Sequence, residues 1–181
     1  MRKLSFLFII LFAIHAQAGD SGALIKPGEK LVGARIALGS VYGAGLGVVL
    51  SGEYGVRDNL FDLGGTANTL GVAASLGYSG YSQSYSWGTY SYTNILLITS
   101  GLWHVDLLND PKIDTYASLS MGWNIGTVSS PSGGPQYSNT YSGLIWGTAV
   151  GARYHFSDKL SAVGELGFGM GVLRVGIDYR L

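Results

Sequence analysis

The sequence contains no cysteine and few charged residues. Without cysteine, the 181 residues cannot form a disulfide-bonded scaffold, a zinc site with cysteine ligands or a lipidated N-terminal cysteine. Charged residues make up 12% of the chain, about half of their share in an ordinary soluble domain. An exported chain without disulfides needs another source of stability.

Long apolar runs are also absent after residue 14, so no later segment predicts a membrane-spanning helix. Residues 1–18 combine a short basic start, an apolar run at 4–14 and the small-x-small sequence "AQA" at 16–18. This arrangement is typical of a cleaved secretory signal peptide, and the apolar run is too short to span a bilayer. We therefore expect the mature chain to begin at Gly19.

Excess positive charge is the third feature that the sequence lacks. Removal of the signal peptide's Arg2 and Lys3 leaves nine basic and eleven acidic residues, a net charge of −2. No basic stripe is available for phosphate contacts, so we expect no nucleic-acid partner.

What the chain has instead is glycine and aromatic residues. It contains 29 glycines, and tyrosine and tryptophan together number 16. Low charge, abundant glycine and aromatics, and no helical span together predict a membrane protein built from strands.

Period-2 alternation recurs in eight runs of the mature chain, which predicts eight strands. In the run 93–105 both faces are apolar, and we favour an outward orientation for Ile95, Leu97, Thr99 and Trp103. In the other runs, aliphatic and aromatic side chains share one face and small or charged side chains the other. The charged side chains that we assign from this face to a lumen network are Arg35, Glu53, Arg153, Glu165, Arg174 and Asp178.

The chemistry of the two faces decides which one points outward. A soluble barrel would have its apolar face inside, but small side chains suit a narrow lumen and aliphatic side chains suit lipid. We therefore predict that the apolar face points outward and the polar face inward. Under this assignment aromatic residues cluster at both strand ends, as interfacial girdles do.

Two connections are long and polar, "SGYSQSYSWGTYSY" after the third strand and "TVSSPSGGPQYSNTY" after the fifth. The turns "LNDPK" and "SDK" lie at the opposite end and are tight. Long loops outside the cell and short periplasmic turns are typical of outer-membrane barrels. Two connections do not follow the pattern, because "SVYGAG" is short for an outer loop and "RDNLFDLGGT" is long for a periplasmic turn.

These features resemble the small eight-stranded outer-membrane barrels of bacteria, of the OmpA-transmembrane-domain and OmpX type, over nearly all of residues 30–181. That family commonly ends in a signal of the form polar-x-Gly-x-x-aromatic-x-hydrophobic, which the barrel-assembly machinery reads. Arg174, Gly176, Tyr179 and Leu181 occupy those positions, with leucine where the family usually has phenylalanine. The resemblance implies a Gram-negative cell envelope and assembly in its outer membrane.

The inward charges are a candidate functional network. Arg35 and Glu53 lie on neighbouring predicted strands, and Glu165 lies on the strand next to both Arg153 and Arg174, so we expect these neighbours to pair in a low-dielectric lumen. We favour a structural network in a filled barrel over a gate for ions or small solutes, because eight strands leave room only for side chains.

A second candidate is enzymatic. Lipid A deacylases of the outer membrane use a His-x-Ser pair with a distant glutamate, and His155, Ser157 and Glu165 imitate that set. Ser157, however, lies in the predicted periplasmic turn, whereas lipid A lies in the outer leaflet. We therefore expect no enzymatic activity and keep lipid modification as a further alternative.

The third candidate is the tyrosine-rich loop after the third strand, where Tyr81, Tyr85, Trp87 and Tyr90 alternate with serine and glycine. Such a surface suits adaptable contact with an extracellular ligand. After cleavage only His104 and His155 remain as histidines, and neither has an evident chelating partner, so we expect no metal and no cofactor.

The sequence as a whole predicts an all-β, eight-stranded antiparallel up-and-down transmembrane barrel. We expect a signal peptide at 1–18, a periplasmic segment at 19–29 and the barrel at 30–181. The expected role is structural or adhesive and non-enzymatic, with a narrow channel as the alternative. The expected partners are outer-membrane lipid, the assembly machinery and an extracellular ligand, and we expect a monomer.

Overall fold

The chain forms a closed barrel in the computed structural model, which describes residues 24–39, 45–86, 88–129 and 138–181. In these residues no helix is long and apolar enough to cross a membrane. Every strand pairs antiparallel with its neighbours in the sequence, and the last strand also pairs with the first, which confirms the predicted up-and-down barrel. The strands are β1 (Lys30–Leu38), β2 (Leu46–Asp58), β3 (Asn68–Tyr85), β4 (Gly88–Val105), β5 (Ile113–Ser129), β6 (Ser138–His155), β7 (Leu160–Phe168) and β8 (Leu173–Arg180).

Apolar side chains cover the outside of the barrel, as the alternation predicts. Leu119 on β5 is 68% exposed, whereas the inward Arg153 on β6 is 1% exposed. Because a water-soluble barrel would have the opposite arrangement, this wall requires apolar surroundings. Other large outward side chains are Val32, Ile36, Val48, Leu50, Val72, Leu76, Ile95, Leu97, Met121, Leu144, Val150, Leu166, Val175 and Ile177.

The strand with two apolar faces, β4, has the favoured orientation. Ile95 and Leu97 point outward and are 41% and 51% exposed, whereas Leu96 and Ile98 are buried inside the barrel. The inward pair packs with Ile145 and Met170 in an apolar cluster. Both faces of β4 are therefore apolar because one contacts the surroundings and the other contributes to an apolar layer in the interior.

The wall of the barrel is much taller on one side than on the other. Strands β3 to β6 contain 17 or 18 residues each, whereas β1, β7 and β8 contain 8 or 9. A membrane-spanning strand needs about 9–11 residues. The tall strands therefore extend well past an apolar belt at one end. We call the end with Lys30 and Arg180 the terminal end, and the end with the β3–β4 turn the hairpin end.

The predicted long loop after the third strand is wrong. Strands β3 and β4 stay paired up to Tyr85 and Gly88, so most of "SGYSQSYSWGTYSY" is a β-hairpin. The physical reason is that tyrosine and serine alternate there with a period of two, which places the rings on one face and the hydroxyls on the other. On the hydroxyl face, Ser82 bonds Ser91 at 3.2 Å and Ser84 bonds Thr89 at 2.8 Å.

The predicted loop after the fifth strand is also shorter than expected. Strand β5 continues to Ser129 and β6 begins at Ser138, and these two residues pair. Residues 130–137, like most of "SVYGAG", lie outside the described residues. Paired strands therefore replace much of this predicted loop.

Candidate functional site

Arg153 is the centre of an ion-pair network inside the barrel. Its Nε donates to Asp178 at 2.7 Å and its Nη1 donates to Asp114 at 3.0 Å. Its Nη2 donates to Glu53, and its guanidinium lies 4.8 Å from the centre of the Tyr116 ring. One buried cation therefore links carboxylates from β2, β5 and β8.

His104 bridges two of the same carboxylates. Its Nε2 lies 2.8 Å from Glu53 Oε1, its Nδ1 lies 2.9 Å from Asp114 Oδ1, and the ring is fully buried. An ionised carboxylate only accepts, so with Glu53 and Asp114 both ionised each ring nitrogen donates, which is the imidazolium form. His104 therefore acts as a second buried cation in the network.

Glu165 organises the other half of the network. Its carboxylate accepts from Arg174 Nε at 2.8 Å and from the Tyr116 hydroxyl at 2.7 Å. Arg35 Nε lies 3.4 Å from the same carboxylate, and Arg35 Nη2 donates to Asp178 at 3.0 Å. Asp178 thus joins the two halves, because it also accepts from Arg153.

The network is electrically balanced. With His104 as imidazolium, three guanidinium groups and one imidazolium face four carboxylates. Buried charges cost several kcal/mol each unless they are paired and hydrogen-bonded. The balance therefore explains how so many charges occupy a closed interior.

Inward glycines provide space for these side chains. A Cβ at Gly33 would collide with the Asp178 carboxylate, and a Cβ at Gly151 would lie 2.6 Å from the Tyr116 ring. A larger residue at either position would displace a member of the network. Part of the high glycine content is therefore explained by the size of the lumen.

Two of the pairings predicted from strand neighbours are wrong. The structure pairs Arg35 with Asp178 and Glu165 instead of Glu53. It pairs Arg153 with carboxylates of β2, β5 and β8 instead of Glu165. Long side chains in a narrow barrel also reach across the lumen, so Arg153 contacts Glu53 on β2 and Asp178 on β8 as well as Asp114 on the adjacent β5. Glu165 and Arg174, which face each other in the β7–β8 register, do pair.

Three members of the network were not among the predicted site residues. Asp114 and Tyr116 lie on the inward face of the fifth predicted strand, and alternation alone places them there. His104 follows from the orientation of β4, because Trp103 points outward and its neighbour must point inward. The signal for all three was present in the strand phase, but their contacts depend on barrel closure.

An apolar layer lies above the network, toward the hairpin end. It consists of Leu96, Ile98, Ile145 and Met170. A small cavity between this layer and the charges has a volume of about 30 Å³ and is lined by residues such as Arg35, Ser120 and Met170. That volume is about that of one water molecule. The described lumen is therefore filled by side chains.

The three residues that imitate a lipid A deacylase do not form one site. The Ser157 hydroxyl accepts from the backbone N–H of Leu160 at 3.1 Å and stabilises the β6–β7 turn. Glu165 belongs to the ion-pair network and pairs with Gly151, four residues before His155 on β6. Four residues of strand correspond to about 13 Å. This separation does not support the predicted alternative of a His-Ser-Glu mechanism.

The tyrosines of the β3–β4 hairpin lie on the face that continues the lumen. The rings of Tyr81 and Tyr92 stack with their centres 4.6 Å apart and their planes within 6°. Tyr85 and Tyr90 meet edge to face at 5.8 Å. Trp87, the fourth predicted contact residue, lies outside the described residues. Three of the predicted contact residues therefore share one aromatic surface, which is a strand surface and not a loop.

The residues of the predicted assembly signal occupy different surfaces of β8. Arg174 is in the ion-pair network, and Gly176 packs closely against the backbone of Ala34 and Arg35 on β1. Tyr179 and Leu181 point outward and are 43% and 69% exposed. Tyr179 and Leu181 are thus accessible on the apolar wall.

Comparison with known proteins gives structural neighbours only. No protein-family model matches the chain, and no curated protein matches it. A de novo designed transmembrane β-barrel aligns with a TM-score of 0.53 at 17% identity, over 86% of this chain and 98% of the other. Ail, the attachment invasion locus protein of Yersinia pestis, aligns at 0.46 and 14%, over 86% and 99%. Neisserial surface protein A aligns at 0.47 and 13%, over 84% and 94%.

The chain has the fold of a transmembrane β-barrel. The designed barrel matches over nearly its whole length, and the apolar outer wall gives the physical reason. This result confirms the resemblance to small eight-stranded membrane barrels at the level of fold.

Two aromatic girdles define the position of the transmembrane barrel in a bilayer. Toward the hairpin end, Trp146 and Phe168 meet edge to face at 5.0 Å, and toward the terminal end Tyr154 and Phe156 do so at 5.3 Å. Trp146 and Tyr154 are eight residues apart on β6, about 26 Å along the strand. Because such strands tilt by about 35–45°, this distance corresponds to about 20 Å along the membrane normal, which is near the height of about 25 Å of an apolar band. The tyrosine-rich hairpin therefore lies beyond the bilayer.

Proposed function

We propose that the chain is an outer-membrane barrel that is exported by a cleaved signal peptide and exposes its hairpin end outside the cell as a contact surface. The terminal end faces the periplasm, and the barrel has no catalytic role. The observation that carries this proposal is the tall sheet of β3 to β6, which extends beyond the apolar belt on one side only. Such an extension contributes nothing to spanning the bilayer.

The filled interior supports a structural barrel over the alternative of a channel. The ion-pair network and the apolar layer follow one another along the lumen, and the cavity between them holds about one water molecule. The placement of Ser157 in a turn supports a non-enzymatic role. A closed barrel also leaves no free strand edge in the bilayer, which is consistent with a monomer.

Surface location is tested with an epitope tag inserted in the β3–β4 turn. We expect an antibody to label intact Gram-negative cells that express the tagged chain. Labelling only after permeabilisation would overturn the proposed orientation.

The contact role is tested by shortening the hairpin. Residues 80–93 are replaced by Asn-Gly, because Ser79 and Asn94 are paired and Asn-Gly forms a tight hairpin turn. We expect expressing cells to attach to epithelial cells or glass more than cells without the protein, and the shortened variant to lose this gain. The control Leu107→Ser, at the terminal end, keeps it. No gain on either surface, with the protein exposed on the cell, contradicts the contact role.

Assembly is proposed to use Arg174, Gly176, Tyr179 and Leu181 as the signal for the barrel-assembly machinery. Tyr179→Ala is expected to lower the amount of folded barrel in cells several-fold while refolding of purified protein into lipid vesicles stays normal. Heat-modifiable gel migration measures both. Equal losses in cells and in vesicles would mean that Tyr179 only stabilises the fold.

A further inference from the structure

The hairpin end has an inner face that continues the lumen above the bilayer. Tyr81 and Tyr92 stack face to face there, and Tyr85 and Tyr90 form a second aromatic pair farther from the barrel. Tyr81 and Tyr92 are half-buried, and Tyr85 is 40% exposed. The two pairs therefore form an accessible aromatic surface on the concave side of the tall sheet.

A polar floor lies below these rings. Asn94 Oδ1 accepts from Tyr141 Oη at 2.9 Å and from Asn124 Nδ2 at 3.2 Å. Within the described residues, Asn94 Nδ2, Asn124 Oδ1 and Ser79 Oγ have no hydrogen-bond partner, although each side chain is at most 1% exposed. Buried polar groups are nearly always paired, so spare donors and acceptors at one place indicate a missing partner. The apolar layer that includes Leu96 separates this floor from the ion-pair network.

The whole hairpin end is uncharged. The sequence has no lysine, arginine, aspartate or glutamate between Asp62 and Asp106, or between Asp114 and Arg153. Polyanions such as sulfated glycans are held by arginine and lysine, and cationic ligands by carboxylates. A charged ligand would therefore find no counter-charge on this surface, and the ligand it fits is neutral.

We propose that the inner face of the hairpin end, formed by Tyr81, Tyr92, Tyr85 and Tyr90 above the Asn94–Asn124 floor, binds an uncharged oligosaccharide. This inference rests on the proposed function, since it needs the hairpin end outside the cell. Sugar rings present apolar C–H faces that pack on tyrosine rings, and hydroxyls that donate to and accept from amides. Aromatic surfaces with a few convergent polar groups are the usual form of small-molecule sites.

The test measures binding of the purified barrel to an array of neutral and sulfated oligosaccharides. The barrel is held in lipid nanodiscs, because detergents with sugar headgroups would compete for the site. We expect binding to one or more neutral oligosaccharides that changes little between low and high salt. Tyr92→Ala and Tyr81→Ala are expected to weaken that binding about tenfold or more, whereas Tyr92→Phe keeps it.

Tyr78→Ala is the matched control. Tyr78 lies on β3, the strand of Tyr81, is 52% exposed and points to the outside of the barrel. It should change glycan binding little, and heat-modifiable migration verifies that every variant is folded. Equal weakening by Tyr78→Ala and Tyr92→Ala would overturn the assignment to the inner face.

Binding only to sulfated glycans, or binding that disappears at high salt, overturns the neutral-ligand inference. The inference is also overturned if none of the neutral oligosaccharides on the array binds. If cells then still attach through the hairpin, the contact role stands and a protein partner replaces the glycan. If the hairpin is not exposed on cells, the proposed function itself fails, which the antibody labelling detects separately.

Discussion

Single residues hold the charged interior of this barrel together, and Arg153 has the most carboxylate partners among the described residues. Its three nitrogens donate to three carboxylates, and its side chain is 1% exposed. We expect Arg153→Met to lower the free energy of unfolding by about 3–5 kcal/mol, because it leaves buried carboxylates without their cation. Urea unfolding in lipid vesicles, followed by tryptophan fluorescence, measures the change.

Arg180→Met is the control for this prediction. Arg180 also pairs with a carboxylate, Glu29 at 3.6 Å, but at the rim of the terminal end where water competes. Such pairs contribute at most about 1 kcal/mol. Similar losses in the two variants would show that the network contributes no more than a surface ion pair.

At the scale of the element, alternation predicted most of each strand but not where it ends. The favoured outward orientation of Ile95 and Leu97 on β4 is correct, although both faces of this strand are apolar and alternation alone leaves its phase open. The extension of β3 to Tyr85 was missed because a run of serine, glycine and tyrosine also suits a loop. Tyr85 pairs with Gly88 on β4, which makes this segment a hairpin instead of a loop. Pairing between strands cannot be seen in the sequence of one strand.

The same limit applies to the candidate site. Alternation correctly predicted that the side chains of Arg35, Glu53 and Arg153 point inward. Their ion-pair partners, however, depend on the diameter of the closed barrel. A long side chain in a narrow lumen meets residues of several strands, so the adjacent strands account for only some of its partners. Closure brings Arg35 to Asp178, 143 residues away.

The outward face of β5 provides a direct test of the membrane position. Leu119 is 68% exposed and lies two residues from Ala117, which pairs with Val150 midway between the two girdle residues of β6. We expect Leu119→Arg to destabilise the barrel in lipid vesicles by about 2–4 kcal/mol, because an arginine at the midplane faces hydrocarbon. Urea titration measures this. Leu107→Arg, in the β4–β5 turn, should cost only about 0–1 kcal/mol. If Leu119→Arg left the free energy of unfolding unchanged, this face would not contact lipid.

At the scale of the whole molecule, two layers of different chemistry lie in series along the described part of the lumen. The apolar layer around Leu96 excludes ions by its lack of polar groups, and the ion-pair network around Arg153 fills the remaining width. A gate would have to move both at once.

We therefore expect no discrete conductance steps from the purified barrel in planar lipid bilayers. Leu96→Ala removes most of one side chain from the apolar layer but leaves the charged network in place, so this variant should also stay closed. Glu53→Ala removes one carboxylate of the network and leaves the apolar layer intact. We expect this variant to show no conductance either, because the apolar layer still blocks ions. Insertion of each protein is verified by heat-modifiable migration from the same vesicles. Steps from the unchanged barrel would support the channel alternative, whereas steps from Glu53→Ala alone would show that the charged network is the only effective barrier.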